Sequence, residues 1–237
     1  IIHVAGLWGI RLLYLSLAVT PLRETLRWPR LFLVRRMIGV GAFCYLAVHL
    51  AFYTADQGFD LAHVAAEIVR RIYLTIGFSA LCIVSALAAT STDGAVRRLG
   101  GRRWQHLHRL VYLAGILATI HYFMQSKQDV TEATVMGGLY AWLMLYRILR
   151  RVRTRDIPPP WQLALLAMTA TLLTFGGEAT YYWAKLGVDP LRVLAADFSL
   201  KAGIRPGWFV FAITAAIPVA AVLRAVIWRA PARQAAS

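Results

Sequence analysis

The chain has little charge, and especially little negative charge. Of its 237 residues 16% are charged and only 11 are Asp or Glu, whereas 59% are hydrophobic. The mean hydropathy of +0.58 is high for a water-soluble domain and typical of an integral membrane protein. Both cysteines, Cys44 and Cys82, lie in apolar stretches. We therefore expect neither a disulfide framework nor a cysteine metal site.

The charge that is present is mostly positive, with a formal net charge of +15. Such an excess can indicate nucleic-acid binding, but the basic residues lie between apolar stretches and form no continuous basic segment. We interpret the charge as a membrane-topology signal and expect no nucleic-acid partner. The chain begins at Ile1 without an initiator methionine and without an evident cleavable signal peptide, which leaves room for a preceding segment.

Apolar stretches of membrane-spanning length recur along the chain. At about 1.5 Å per residue, each can cross most of a hydrocarbon core of about 30 Å as a helix, which satisfies its own backbone hydrogen bonds. The sequence therefore predicts an all-α, polytopic transmembrane helical bundle of about seven helices. The predicted spans are residues 2–20, 37–54, 72–90, 106–124, 133–149, 161–183 and 207–228.

Arginine is concentrated in alternate loops, within residues 23–36, 97–103 and 147–155. Because cytoplasmic loops carry an excess of Lys and Arg, this side is predicted to be cytoplasmic and the N-terminus of the chain to lie outside.

Three histidines lie inside the apolar stretches: His49, His108 and His121. Polar side chains are costly in hydrocarbon, so intramembrane histidines are candidates for a functional site. The topology places His49 and His121 near the outer ends of the second and fourth spans, where they can hold haem iron between two helices. His108 lies 13 residues before His121, which is about 20 Å along a helix and places it in the cytoplasmic layer.

The cytoplasmic layer, in which His108 lies, has no obvious second histidine. His108 and His121 are 13 residues apart, which places their side chains about 140° apart around an ideal helix. We therefore expect them not to share a partner helix unless their own helix is distorted. His106 points elsewhere on that helix, His63 lies in a polar loop, and His3 is terminal. The alternative for each intramembrane histidine is an interhelical hydrogen bond. Three histidines at matched depths favour haem.

Several strings, in their order and spacing, resemble the MsrQ family, formerly called YedZ. They are residues 17–23 (LAVTPLR), 35–39 (RRMIG) with Tyr45 and His49, 72–77 (IYLTIG), 87–92 (LAATST) with 98–100 (RLG), and 104–113 (WQHLHRLVYL) leading to His121 and Tyr122.

The resemblance implies a membrane electron-transfer subunit with a ferric reductase-like transmembrane domain, located in the bacterial inner membrane. Such a subunit binds haem b and FMN, takes electrons from respiratory quinones or a cytoplasmic flavin reductase, and passes them to the periplasmic molybdenum enzyme MsrP. MsrP itself then reduces methionine sulfoxide. The family's haem histidines match His49, His108 and His121. The resemblance covers residues 1–155 as a haem-binding domain, and residues 156–237 are expected to add a pair of transmembrane helices.

The flavin site is less defined. No GxGxxG motif follows a strand, so a fused nicotinamide dehydrogenase domain is not expected and electrons must come from elsewhere. Candidate flavin contacts are Arg36, Arg97, Arg102, Arg103 and Trp104, because guanidinium groups bind phosphate and indole rings stack. The alternative for each arginine is anchoring on the cytoplasmic side. Two other function classes stay open: a stand-alone transmembrane haem oxidoreductase acting on ferric iron, quinone or superoxide, and a membrane protein without redox chemistry.

Overall fold

The computed structural model describes residues 1–126, 129–154, 156–199 and 203–234, with side chains described as far as residue 227. Every regular element in these residues is an α-helix, and there are eleven. The prediction of an all-α protein is therefore confirmed. The helices are α1 Ile2–Thr25, α2 Leu31–Asp56, α3 Leu61–Arg70, α4 Ile72–Ala89, α5 Asp93–Leu99, α6 Gly101–His108, α7 Leu110–Gln125, α8 Thr131–Val152, α9 Pro160–Leu186, α10 Pro190–Asp197 and α11 Pro206–Gln234.

Six of the described helical segments are long and apolar enough to cross a membrane: α1, α2, α4, the continuous stretch Gly101–Gln125, α9 and Pro206–Ile227. They confirm a multi-pass membrane protein. The seventh predicted span, 133–149, does form a helix, α8, but α8 is not among the six. The reason is compositional, because Glu132, Arg147 and the Trp, Tyr and Gly residues between them lower its hydropathy.

Three short helices are absent from the predicted spans, and each begins at a capping side chain. Asp60 accepts a hydrogen bond from the His63 amide at 2.9 Å at the start of α3. Thr92 does the same for the Ala95 amide of α5 at 3.1 Å. Asp189 caps α10 through the Leu191 amide at 2.9 Å. Such caps satisfy amides that a helix start leaves free, so these connections fold as helices despite their polarity.

The chain forms two compact units. Unit 1 comprises Ile1–Leu17 and Leu33–Lys127, and unit 2 comprises Ala18–Phe32 and Gln128–Ser237. Within unit 2, α8 packs against α9 and α11. The predicted domains, residues 1–155 and 156–237, stay a prediction.

In unit 1, α4 and α7 pack along their lengths and α3 lies against α4. Helix α1 contacts α7 through Tyr14, whose hydroxyl donates to the Gly115 carbonyl at 3.2 Å. The predicted span 106–124 is interrupted between α6 and α7 at Arg109, a helical residue with φ −70° and ψ −20°. The Arg109 amide is shared between the carbonyls of Gln105 and His106, so the two helices are nearly continuous.

Unit 2 contains a buried ion cluster at one end of α9. Arg205, just before α11, contacts the Glu178 carboxylate and places its Nε 3.2 Å from Asp197 Oδ1. Glu178 and Asp197 are only 1% and 2% exposed. Trp208 Nε1 also donates to the Asp197 carbonyl at 2.8 Å. The cluster therefore connects α9, α10 and α11.

Candidate functional site

His49 and His121 lie side by side in unit 1. The first comes from α2 and the second from α7, and their ring centroids are 6.3 Å apart with an angle of 77° between the ring planes. Both helices present the histidine near their C-terminal ends. The expectation that these two residues reach the same layer is met by this placement, which leaves the identity of their ligand as a prediction.

Each of the two rings is oriented by a backbone carbonyl. His49 Nδ1 lies 2.8 Å from the Ile2 carbonyl oxygen at the start of α1. His121 Nδ1 lies 2.8 Å from the Tyr73 carbonyl oxygen at the start of α4. A carbonyl can only accept, so Nδ1 must carry the proton in both rings. The Nε2 atoms therefore keep their lone pairs, which is the arrangement of a metal-binding histidine.

The pair borders an apolar cavity in unit 1. Its volume is about 130 Å³, and it is partly open to the outside. His3 also lines the cavity, although it was not predicted as a site residue. The wall is mostly aliphatic and includes Leu7, Ile10, Leu46, Leu81, Val84 and Ala118.

These residues fit a haem better than a metal ion bound by protein alone. Two imidazoles on opposite sides of one metal ion have ring centres about 6 Å apart, since each metal–nitrogen bond is about 2 Å. The observed 6.3 Å is close to that value. Among the described residues, no group of three or more His, Cys, Asp or Glu side chains could hold an ion. Two imidazoles that could both coordinate one iron, beside an apolar pocket, would suit a b-type haem that transfers electrons.

His108 lies apart from this pair, at the C-terminal end of α6. Its Nε2 is 3.2 Å from Thr90 Oγ1, and its ring stacks on Trp104 with centroids 3.8 Å apart. Trp104 Nε1 in turn donates to the Thr90 carbonyl at 2.9 Å. Neither Thr nor Trp is a usual haem ligand, so these contacts leave the assignment of His108 as a prediction.

His108 and His121 share the partner helix α4, which the prediction allowed only for a distorted helix. His121 contacts Tyr73 at the start of α4, and His108 contacts Thr90, which ends the same helix. The angle of an ideal helix does not apply here, because α6 and α7 are interrupted at Arg109.

The predicted flavin residues are brought together only in part. Arg36 forms an ion pair with Asp93, with 2.7 Å between Nη2 and Oδ1. Arg36 and, more weakly, Arg97 hold the pKa of the Asp93 carboxyl below its usual range. Arg102 and Arg103 are exposed on α6, whereas Trp104 is occupied by His108. The flavin assignment therefore stays a prediction.

Comparison with known proteins identifies the family. The profile of the ferric reductase like transmembrane component matches residues 5–119. A Rhodospirillum rubrum protein, named the heme-binding subunit MsrQ of protein-methionine-sulfoxide reductase, is 44% identical over 151 residues, which are 63% of this chain and 73% of that protein. Proteins of the same name from Herminiimonas arsenicoxydans and Xanthomonas campestris are 41% identical over 146 residues and 40% identical over 165 residues.

These matches cover 60% and 67% of this chain, and 67% and 75% of those two relatives. No solved structure matches the chain. The identities and the coverage confirm the family that the sequence strings predicted. The chain belongs to the MsrQ family of haem-binding subunits, within the larger group of proteins with a ferric reductase-like transmembrane component.

Proposed function

We propose that this protein is the membrane electron-transfer subunit of a protein-methionine-sulfoxide reductase, with haem b bound between His49 and His121. The observation that carries the proposal is the histidine pair itself. Two rings from different helices have centroids 6.3 Å apart, a separation at which both could hold one iron, and both Nδ1 atoms are engaged by carbonyls. A pair with only a structural role would have no need for two free Nε2 atoms beside an apolar cavity.

The chain's own residues would set the properties of such a haem. A bound haem supplies reversible one-electron transfer. The hydrogen bonds to Ile2 and Tyr73 make both imidazoles more electron-rich, which favours ferric iron and lowers the reduction potential. The aliphatic cavity wall would limit the access of water to a bound haem. The two effects together suit a site that transfers electrons and does not bind small ligands.

The two levels of histidines in unit 1 support a proposed electron route. His108 contacts Thr90 at the end of α4, shortly before the arginines of residues 97–103, which loop charge predicts to be cytoplasmic. We propose that electrons enter at this end, from the quinone pool or a cytoplasmic flavin reductase, with FMN or a second haem near His108. They leave at the His49 and His121 end for a periplasmic molybdenum enzyme, MsrP. The protein would then lie in the bacterial inner membrane.

A second candidate function is that of a stand-alone transmembrane haem oxidoreductase acting on ferric iron, quinone or superoxide. It is favoured by the family profile, whose name is that of a ferric reductase component. The two candidates differ in whether a protein partner is required for turnover.

Reconstitution tests the proposal. The purified protein is placed in liposomes with a quinol as donor, and methionine sulfoxide consumption is followed with and without purified MsrP. We expect consumption only when both proteins are present, its loss in His49→Ala and His121→Ala, and full activity in His63→Ala, whose side chain is exposed on α3. A rate of ferric iron reduction that is the same with and without MsrP would instead support the second candidate.

A further inference from the structure

We infer that Gly6 and Gly77 are positioning residues for His49 and His121. Each glycine leaves uncovered the one backbone carbonyl to which the neighbouring histidine donates its Nδ1 proton. The inference rests on the proposed function only in that the oriented Nε2 atoms then serve as haem ligands. It assigns a role to two residues that bear no functional group.

The closer approach is at Gly77. A Cβ atom added there would lie 2.6 Å from His121 Nδ1 and 2.7 Å from Cε1, which is closer than non-bonded carbon and nitrogen atoms can approach. The His121 ring cannot move away without breaking a hydrogen bond, because the same Nδ1 is 2.8 Å from the Tyr73 carbonyl oxygen. Any residue other than glycine at position 77 would therefore displace His121 or α4.

The same arrangement recurs at Gly6 with slightly more room. A Cβ atom there would lie 3.0 Å from His49 Nδ1 and 3.1 Å from Cε1. His49 Nδ1 is again 2.8 Å from a carbonyl, that of Ile2. In both cases a histidine of one helix lies against a glycine of a second helix and donates a hydrogen bond to a carbonyl of that second helix.

The spacing explains why glycine is needed. Gly6 follows Ile2 by four residues, and Gly77 follows Tyr73 by four residues. In an α-helix a side chain lies over the turn on the N-terminal side of its own Cα, so the residue at i+4 covers the carbonyl at i. That carbonyl has a second lone pair beyond its helical hydrogen bond. Glycine at i+4 leaves this lone pair accessible to an imidazole N–H.

The competing explanation is that Gly6 and Gly77 only allow helices to pack closely. Two other glycines serve as controls that distinguish this explanation from positioning of the histidines. Gly9, also on α1, has Leu46 of α2 against its missing Cβ, with 2.5 Å to Leu46 Cδ2. It therefore tests close packing between the same two helices at a position whose nearest atoms are those of Leu46. Gly39, on α2, has no atom within 4 Å of an added Cβ, and it tests the effect of alanine alone.

The experiment compares Gly6→Ala, Gly77→Ala, Gly9→Ala and Gly39→Ala in the full-length chain purified with haem. Haem release to an excess of a haem-scavenging protein is timed, and the reduction potential of the haem is titrated. Loss of a hydrogen bond to a metal-bound histidine typically weakens metal binding about 10–100-fold. We expect release about tenfold faster or more in Gly77→Ala, a smaller acceleration in Gly6→Ala, and values near wild type in Gly39→Ala.

The potential distinguishes positioning from packing. An imidazole that no longer donates from Nδ1 is less electron-rich, so the potential should become more positive in Gly6→Ala and Gly77→Ala. Gly9→Ala should lower the melting temperature but leave the potential unchanged. If Gly77→Ala fails to fold, Gly6→Ala provides the test, because its added Cβ makes a milder contact with the histidine ring. Unchanged release and potential in Gly6→Ala would overturn the inference, whereas a wild-type protein without haem would overturn the proposed function.

Discussion

Replacing Arg205 by methionine should strongly destabilise unit 2. Arg205 contacts both Glu178 and Asp197, and these carboxylates are 1% and 2% exposed. Without the guanidinium, two nearly inaccessible carboxyl groups lose their cationic partner. Removing one partner of a buried ion pair typically costs about 3–5 kcal/mol. For a chain of this size, that loss corresponds to a decrease in melting temperature of roughly 6–20 °C.

Thermal unfolding in detergent, followed by intrinsic tryptophan fluorescence, measures the effect. The matched control is Arg192→Met, because Arg192 is exposed on α10 and such surface substitutions usually change stability by no more than about 0.5 kcal/mol. Adding Glu178→Gln and Asp197→Asn to Arg205→Met should recover part of the loss, since no uncompensated charge then remains. Melting of Arg205→Met within about 2 °C of wild type would refute this reasoning.

Three further predictions concern other contacts. Tyr146→Phe should cost about 1.5–3 kcal/mol in thermal unfolding, because the buried Tyr146 hydroxyl donates to Glu24 at 2.7 Å; an unchanged melting temperature would contradict it. Arg36 holds the pKa of the Asp93 carboxyl low. Wild type should therefore be slightly more stable than Asp93→Asn at neutral pH, and this difference should vanish as the pH falls through the lowered pKa. In His121→Gly, imidazole should restore the haem spectrum about tenfold better than 1-methylimidazole, which has no N–H to donate to the carbonyl; equal rescue would exclude that bond.

The sequence was sufficient to predict the long helices and the shared layer of His49 and His121. Apolar stretches of span length identify helices through composition alone, and the alternation of spans places His49 and His121 at the same end of α2 and α7. The short helices α3, α5 and α10 were missed because their polar composition resembles that of loops. Their caps, such as Asp60 and Thr92, were the local signal that could have predicted them.

The interactions that orient the site were not predictable from the sequence. The partners of the two rings are main-chain carbonyls, which every residue has, and the residues that expose them are glycines without a side chain. A glycine within a span, such as Gly77 in the string of residues 72–77, was a possible signal only if the partner helix was already known. The contact between His108 and α4 was missed for a related reason, since helical angles on an ideal helix ignore the interruption at Arg109.

The central claim is that His49 and His121 hold a haem, and a reduced-minus-oxidised absorbance spectrum tests it most directly. The spectrum is recorded on the detergent-purified wild type, on His49→Ala, His121→Ala and His108→Ala, and on the His63→Ala control, with haem quantified as the pyridine haemochrome. We predict a b-type spectrum in wild type and in His63→Ala, and its loss from the outer site in His49→Ala and His121→Ala. Well-folded wild-type protein without haem, or with haem retained unchanged in both of these variants, would contradict the account.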